Sequence, residues 1–207
     1  MHVQDKSNLG KSKSSLTELL KSETRRLHNA LEVEMNSAEL FKANVDKLEY
    51  TKHLTLLSKG HLSVMTQLEH FENDTLVKKY LTEERYTLMA LESDLKDLPN
   101  HSGTFTATSH FLHSNENAYG ALYVVLGSNM GRSFIGKKLR ETIQDWHKSA
   151  PEYYAPNACS TEVFQLFKTD MNAMDADQFA KEEVIQGAKA TFSCFITLAK
   201  EMKMRNE

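Results

Sequence analysis

Residues 119–139 read Tyr-Gly-Ala-Leu-Tyr-Val-Val-Leu-Gly-Ser-Asn-Met-Gly-Arg-Ser-Phe-Ile-Gly-Lys-Lys-Leu, one apolar helix interrupted by Gly127 and Gly131. Four residues is about one helical turn, so the two missing side chains leave bare backbone on one face. Each glycine inside a helix costs roughly 0.5–1 kcal/mol against alanine, and a pair makes a weak point where a helix can kink. Two uses fit that bare backbone: close packing of another helix, or a flat ligand lying on the glycines. Residues elsewhere in the chain have to decide between them.

Working outward, the stretches on either side are also helical. Ser15 followed by Glu18 is a capping-box pattern, and Leu16, Leu19, Leu20, Leu27 and Leu31 recur at helical spacing, which predicts a helix over 16–34. Asp46 with Glu49 repeats the signal ahead of a long helix carrying Leu48, Leu54, Leu57, Met65, Leu68 and Phe71, with Gly60 as a candidate bend. Leu76 to Tyr80 reads as a single short turn, and Leu88, Leu91, Leu95 and Leu98 as a separate helix that Pro99 ends. A short helix near 105–113 leads into the glycine helix, which runs from about Asn115 to before Trp146. Pro151 and Pro156 mark 149–160 as a surface connection, and helices over 161–173 and 176–203 complete the chain. No segment alternates with period two, so the fold class is all-α, one helical bundle over 15–207 behind a polar tail at 1–14.

Composition narrows the function. The 207 residues suit one domain with a sizeable core, and a net charge of -3 offers no general attraction to nucleic acid or anionic lipid. Cys159 and Cys194 form no zinc or disulfide pattern, the N-terminal residues lack the apolar core of a signal peptide, and no apolar run is long enough for an integral membrane segment. A reduced, cytoplasmic location is the expectation. There is no Glu-x-x-His pair for a di-iron bundle, no His-Glu-x-x-His, no nucleophile elbow and no phosphate loop. His110 and His113 can share a face but stand in a polar stretch. The other histidines, His28 apart, read as solvated or locally hydrogen-bonded.

His28 differs in its neighbours. It follows Leu20 and Thr24 at intervals of about a turn, beside the buried stripe of the first helix. Glu32, four residues on, can accept a hydrogen bond from one ring nitrogen and leave the other for a metal. Lys21 adds a flexible cation near the same face. An ordinary surface histidine with a salt-bridged neighbour has the same pattern. Lys168 among Phe164, Leu166, Phe167 and Met171, with Phe192 and Phe195 later, reads equally as core with a snorkelling lysine or as the wall of a large apolar cofactor that carries carboxylates.

Three segments in register resemble heme oxygenases of the biliverdin-producing, bacterial type. Leu20-Lys21-Ser22-Glu23-Thr24-Arg25-Arg26-Leu27-His28-Asn29-Ala30-Leu31-Glu32 is similar to the family's proximal helix, and Leu126-Gly127-Ser128-Asn129-Met130-Gly131 to its distal helix. The third is Phe167-Lys168-Thr169-Asp170-Met171-Asn172-Ala173-Met174, with Ala188-Lys189-Ala190-Thr191-Phe192 after it. The resemblance implies heme, both cofactor and substrate, clamped between two helices. His28 would be the iron ligand and Glu32 its partner. Gly127, Ser128 and Gly131 would form the distal roof, Lys21 and Lys168 would hold the propionates, and Phe167 and Phe192 would join the wall. The implied reaction opens heme to biliverdin, ferrous iron and carbon monoxide, with dioxygen and electrons from a ferredoxin or flavin reductase. Two positions depart from the pattern: Ser128 stands where many members have a carboxylate, and Arg132 where relatives usually keep a small residue, which predicts a distal helix that sits or kinks differently. Rival readings are a non-catalytic heme carrier or sensor on the same fold, and a helical thiamin-salvage-type hydrolase, which would need a catalytic cysteine or carboxylate cluster.

Overall fold

The computed structural model describes residues 14–42, 45–96, 98, 110–142, 152–155, 161–174 and 180–204. Six α-helices account for most of them: α1 (Leu16–Glu34), α2 (Lys47–Leu68), α3 (Thr75–Lys96), α4 (Asn115–Thr142), α5 (Thr161–Ala173) and α6 (Lys181–Met204), with 3₁₀ turns at Ser37–Phe41 and Glu69–Phe71. No strand occurs among the described residues, and no helix there is long and apolar enough to cross a membrane. The expected tail lies outside the described residues apart from Ser14.

Local chemistry sets the helix starts. Ser15 Oγ accepts from Glu18 N–H at 3.3 Å while Glu18 Oε2 accepts from Ser15 N–H at 2.9 Å, so both halves of the capping box form. Asp46 accepts from the N–H groups of Leu48 and Glu49, and Asp74 does the same for Leu76 and Val77. Asp74 also accepts from Tyr119 Oη at 2.8 Å, which ties the start of α3 to α4.

α4 is the centre of the bundle. Ala118, Tyr119, Ala121, Leu122, Val125 and Leu126 are all buried, and α4 packs against α6, α5 and α3. Contact with α6 is close because Gly120 and Gly187 face the partner backbone: a Cβ on Gly120 would collide with the Val184 carbonyl oxygen, and one on Gly187 with that of Asn117. A Cβ on Gly60 would run into the ring of Phe195. The glycine admits an aromatic ring against the backbone of α2.

Three expectations are corrected. The stretch read as a short turn plus a separate helix is one helix, α3, 22 residues long. The apolar rhythm lapses at Glu84 and Thr87, yet both are buried, because His61 and Arg132 satisfy them. Residues 110–113 are not helical, and the rest of the expected helix near 105–113 lies outside the described residues. The described part of the supposed surface connection, 152–155, carries Tyr153 and Tyr154 into the core at 1% and 3% exposure. Its backbone is satisfied there: Asp94 accepts from the N–H groups of Glu152 and Tyr153, and the Arg132 guanidinium donates to the Tyr153 carbonyl at 2.7 and 3.1 Å.

Tyr154 Oη meets His53 Nε2 at 2.9 Å, while His53 Nδ1 is buried without a partner. Burial therefore holds the imidazole neutral, with its pKa lowered from 6.5 to about 4. Between those values the unfolded chain binds a proton that the folded chain refuses. The stabilising contribution is full above about pH 6.5, is lost as pH falls toward 4, and amounts to roughly 3 kcal/mol. Urea denaturation of the parent and of His53→Gln at both ends of that window should show the parent losing the larger amount on acidification. Equal losses would remove His53 as the cause.

Candidate functional site

A cavity of about 560 Å³ opens between α1, α4, α5 and α6, with α2 contributing one wall. That is within the range of small-molecule and cofactor pockets. Lys21, Arg25, His28 and Leu31 line it from α1; Leu57 and His61 from α2; Tyr123, Val124, Gly127, Ser128 and Met130 from α4; Phe164 and Lys168 from α5; Phe192 and Phe195 from α6. Most of the wall is apolar, and its charged residues, Glu18, Lys21, Arg25 and Lys168, come from α1 and α5.

The two glycines that opened the sequence reading resolve here. A Cβ on Gly131 would meet nothing within 4 Å, and one on Gly127 would only touch the edge of the Phe164 ring, at 3.3 Å. Neither faces another helix backbone. The other described glycines, Gly60, Gly120, Gly136 and Gly187, each press against a neighbour. Close packing against neighbouring elements thus accounts for those four and leaves Gly127 and Gly131 unexplained by it. Gly127 lines the cavity; Gly131, one turn on, is exposed and stands outside the lining.

His28 is on the α1 wall with 56% of its side chain exposed, its ring 6.0 Å from that of Phe192 in an edge-on arrangement. Glu32 is close but less engaged than expected: its Oε1 lies 3.7 Å from His28 Nδ1, beyond hydrogen-bond range, and it does not line the cavity. Both side chains are solvated, so nothing clamps the pair. Nδ1 is the nitrogen on the Glu32 side, which leaves Nε2 for a ligand.

Lys21 and Lys168 both line the cavity, as does Arg25, one turn beyond Lys21. None of the three has a carboxylate partner among the described residues. Lys168 Nζ sits 5.0 Å from the centroid of the Phe164 ring. Lys21, Arg25 and Lys168 share the lining of this mostly apolar cavity with one carboxylate, Glu18, so positive charge prevails there and suits a ligand with anionic substituents. The sequence reading did not pick out Arg25, although its spacing from Lys21 and His28 was a usable signal.

Phe167 is a correction. It is fully buried, edge-on to Tyr80 at 5.0 Å, and does not line the cavity; Phe164 does. Phe192 lines it as expected. Ser128 faces the cavity, but its Oγ donates to the Val125 carbonyl at 2.7 Å, so only its lone pairs are available inside. Arg132 points away. It is 3% exposed, donates to Asn129 Oδ1 and Thr87 Oγ1 as well as to Tyr153, and stacks on the Tyr153 ring at 3.9 Å. The side chain at this position fastens the back of α4 to the 152–155 segment and does not line the cavity. His110 and His113 come together with His70, at ring separations of 5.6 and 5.2 Å, but among the described residues no group of three ligating side chains is placed to hold a metal.

These features define a class: an all-helical protein whose central helix turns a bare backbone toward a cavity carrying an imidazole on another wall and cations in its lining. The comparisons with known proteins are specific. The family model for heme oxygenase matches residues 14–201, and the chain belongs to the heme oxygenase family. Among solved structures it is similar to the NO- and CO-bound heme oxygenase from Neisseria meningitidis, with a TM-score of 0.73, 25% identity and 92% of each chain covered. The heme oxygenase from Leptospira interrogans shares the fold at a TM-score of 0.70 and 19% identity, over 91% of this chain and all of that one. Heme oxygenase-1 from the cyanobacterium Synechocystis, solved in complex with heme, does so at 0.68 and 17%, over 93% and 94%. A search among curated protein sequences returned no match.

Proposed function

We propose that this protein is a heme-degrading monooxygenase that opens heme to biliverdin with release of ferrous iron and carbon monoxide. The observation that carries the reading is the unpacked backbone at Gly127, on the same cavity as His28. The donor set fits heme. Lys21, Arg25 and Lys168 offer charge-assisted contacts to two propionates. Tyr123, Phe164, Phe192 and Phe195 present apolar surface to a porphyrin face. His28 Nε2 would supply a nitrogen ligand to the heme iron.

Bound heme supplies the iron at which dioxygen is activated and is also the molecule consumed. The chain's own residues orient it. His28 would hold the iron from the α1 side of the cavity. Gly127 lets the α4 backbone approach the ring more closely than any side chain would allow, which limits the directions from which a meso carbon can be attacked. Ser128, able only to accept, can hold a water by one of its hydrogens. Electrons come from a separate donor such as a ferredoxin or flavin reductase.

The test is direct. Hemin added to the purified protein should give a Soret band, and a reductant under oxygen should replace it with bilin absorption. A protein with no Soret band is not a heme oxygenase. A stable band without bilin makes it a heme carrier.

Lys21→Ala and Lys168→Ala should each weaken hemin binding about fivefold, the ~1 kcal/mol expected of a solvent-exposed charge contact. Each should also change the ratio of bilin isomers, because the ring is free to rotate once a propionate is released. Chromatography showing the parent's isomer ratio in both variants would remove both assignments.

A further inference from the structure

The most unusual polar group of the cavity wall is not one of the residues just assigned. His61 lines the cavity from α2, and its Nδ1 lies 2.7 Å from Glu84 Oε1 on α3, with both side chains 1% exposed. A buried carboxylate is costly unless it is paired and hydrogen-bonded, and replacing such a pair with apolar residues is often neutral or stabilising. Stability alone therefore gives α3 little reason to carry Glu84 inside. The ring of His61 is also boxed in, edge-on to Phe195 at 5.6 Å and to Tyr153 at 6.3 Å. Tyr153 in turn is stacked under Arg132, which donates to Thr87, three residues after Glu84 on α3. The imidazole is held on every side but that of the cavity.

With Glu84 accepting from Nδ1–H, the tautomer is fixed and Nε2 is the nitrogen left for the cavity. Among the described residues the pair's one hydrogen bond is with each other. Ser128, a small polar group of the α4 wall, has committed its proton to the Val125 carbonyl. Both groups therefore accept, and both call for a donor such as water between wall and ligand.

We infer that His61 and Glu84 form a proton-holding pair for the chemistry in this cavity, with His61 Nε2 taking a proton from solvent and returning it to a water beside the ligand. The only bond made and broken at the protein is Nε2–H, and Glu84 stabilises the imidazolium while the proton is held. Among the described residues, Glu84 from α3, Tyr153 from the 152–155 segment and, behind it, Arg132 from α4 are the titratable or charged groups packed around the imidazole; Phe195 of α6 adds none. Both are positioning residues. The inference rests on the heme reading above, since it names the proton source for that reaction.

Glu84→Gln separates the two roles the pair can have. Its amide oxygen still accepts from Nδ1–H, so a purely structural pin survives, whereas the charge that stabilises an imidazolium is gone. Glu84→Gln should keep the parent's Soret band and bind hemin within about threefold, yet form bilin at least ~10-fold more slowly, with an altered pH profile and solvent deuterium isotope effect. His61→Gln, a second variant should the first melt too low, should show the same split. In the ¹⁵N-labelled apoprotein, His61 should carry its proton on Nδ1. A parent-like rate and pH profile in both variants, or a bare Nδ1, would overturn the pairing while leaving hemin binding intact; a parent protein without a Soret band would instead overturn the heme reading, and the proton role with it.

Discussion

His28→Ala should abolish bilin formation, by at least ~1,000-fold or about 4 kcal/mol of barrier, while leaving the fold intact. The two halves of that expectation have separate causes. More than half of the side chain is exposed, and its ring contact with Phe192 is a single edge at 6.0 Å, so removing it opens no core cavity. Stability in urea should change by no more than about 0.5 kcal/mol, the range of surface substitutions. Function should fall because α1 offers no second imidazole: its other cavity residues are Thr17, Glu18, Lys21, Thr24, Arg25 and Leu31. Hemin should still enter, held by the cations of the lining, but with a shifted and weakened Soret band. Added imidazole should restore the parent's spectrum, because the truncated side chain leaves room where the ring stood. A variant that keeps the parent's bilin yield, or one that loses its helical circular dichroism, would show that His28 does something else.

The bounds of α1 and α5 were legible because apolar spacing marks each, with a capping box at the start of α1. α3 was not, since its two irregular interior positions depend on partners far away in sequence: Glu84 needs His61, and Thr87 needs Arg132. Local periodicity cannot register such a pairing. Tyr153 and Tyr154 failed for the same reason, between prolines that signal a connection but buried by Asp94, His53 and Arg132. In the site, spacing and resemblance pointed to Lys21, His28, Gly127 and Ser128, which line the cavity, and also to Glu32 and Gly131, which do not. Phe167 was misread, although a clue existed. Lys168 is four residues from Phe164 and one from Phe167, so the phenylalanine that shares its helical face is Phe164. His61 carried no local sign at all, because what distinguishes it is a carboxylate 23 residues further on.

Alanine at Gly120 or Gly187 should be far more damaging to stability than alanine at Gly131, although all three are helical glycines of the same bundle. A methyl group on Gly120 would overlap the Val184 carbonyl, and its next neighbour, the Ala188 amide nitrogen, would stand only 2.5 Å away. These are backbone atoms, so relief requires α4 and α6 to separate along a contact that holds Ala118, Ala121, Val184 and Ala188 fully buried. Ordinary overpacking costs about 1–3 kcal/mol; forcing two helices apart should exceed it and reach ~4 kcal/mol or more, enough to unfold a marginal domain. At Gly131 the new methyl meets nothing, so the helix gains the ~0.5–1 kcal/mol difference between glycine and alanine. Thermal melts of the three variants should therefore move in opposite directions. Gly127→Ala tests the other consequence, since its methyl would touch only the Phe164 ring edge yet intrude on the cavity. That variant should fold and bind hemin at least ~10-fold more weakly, about 1.4 kcal/mol. If Gly127→Ala melts as low as Gly120→Ala, its glycine serves packing after all; if it folds and keeps the parent's hemin affinity, the bare backbone of α4 is not the surface on which heme lies.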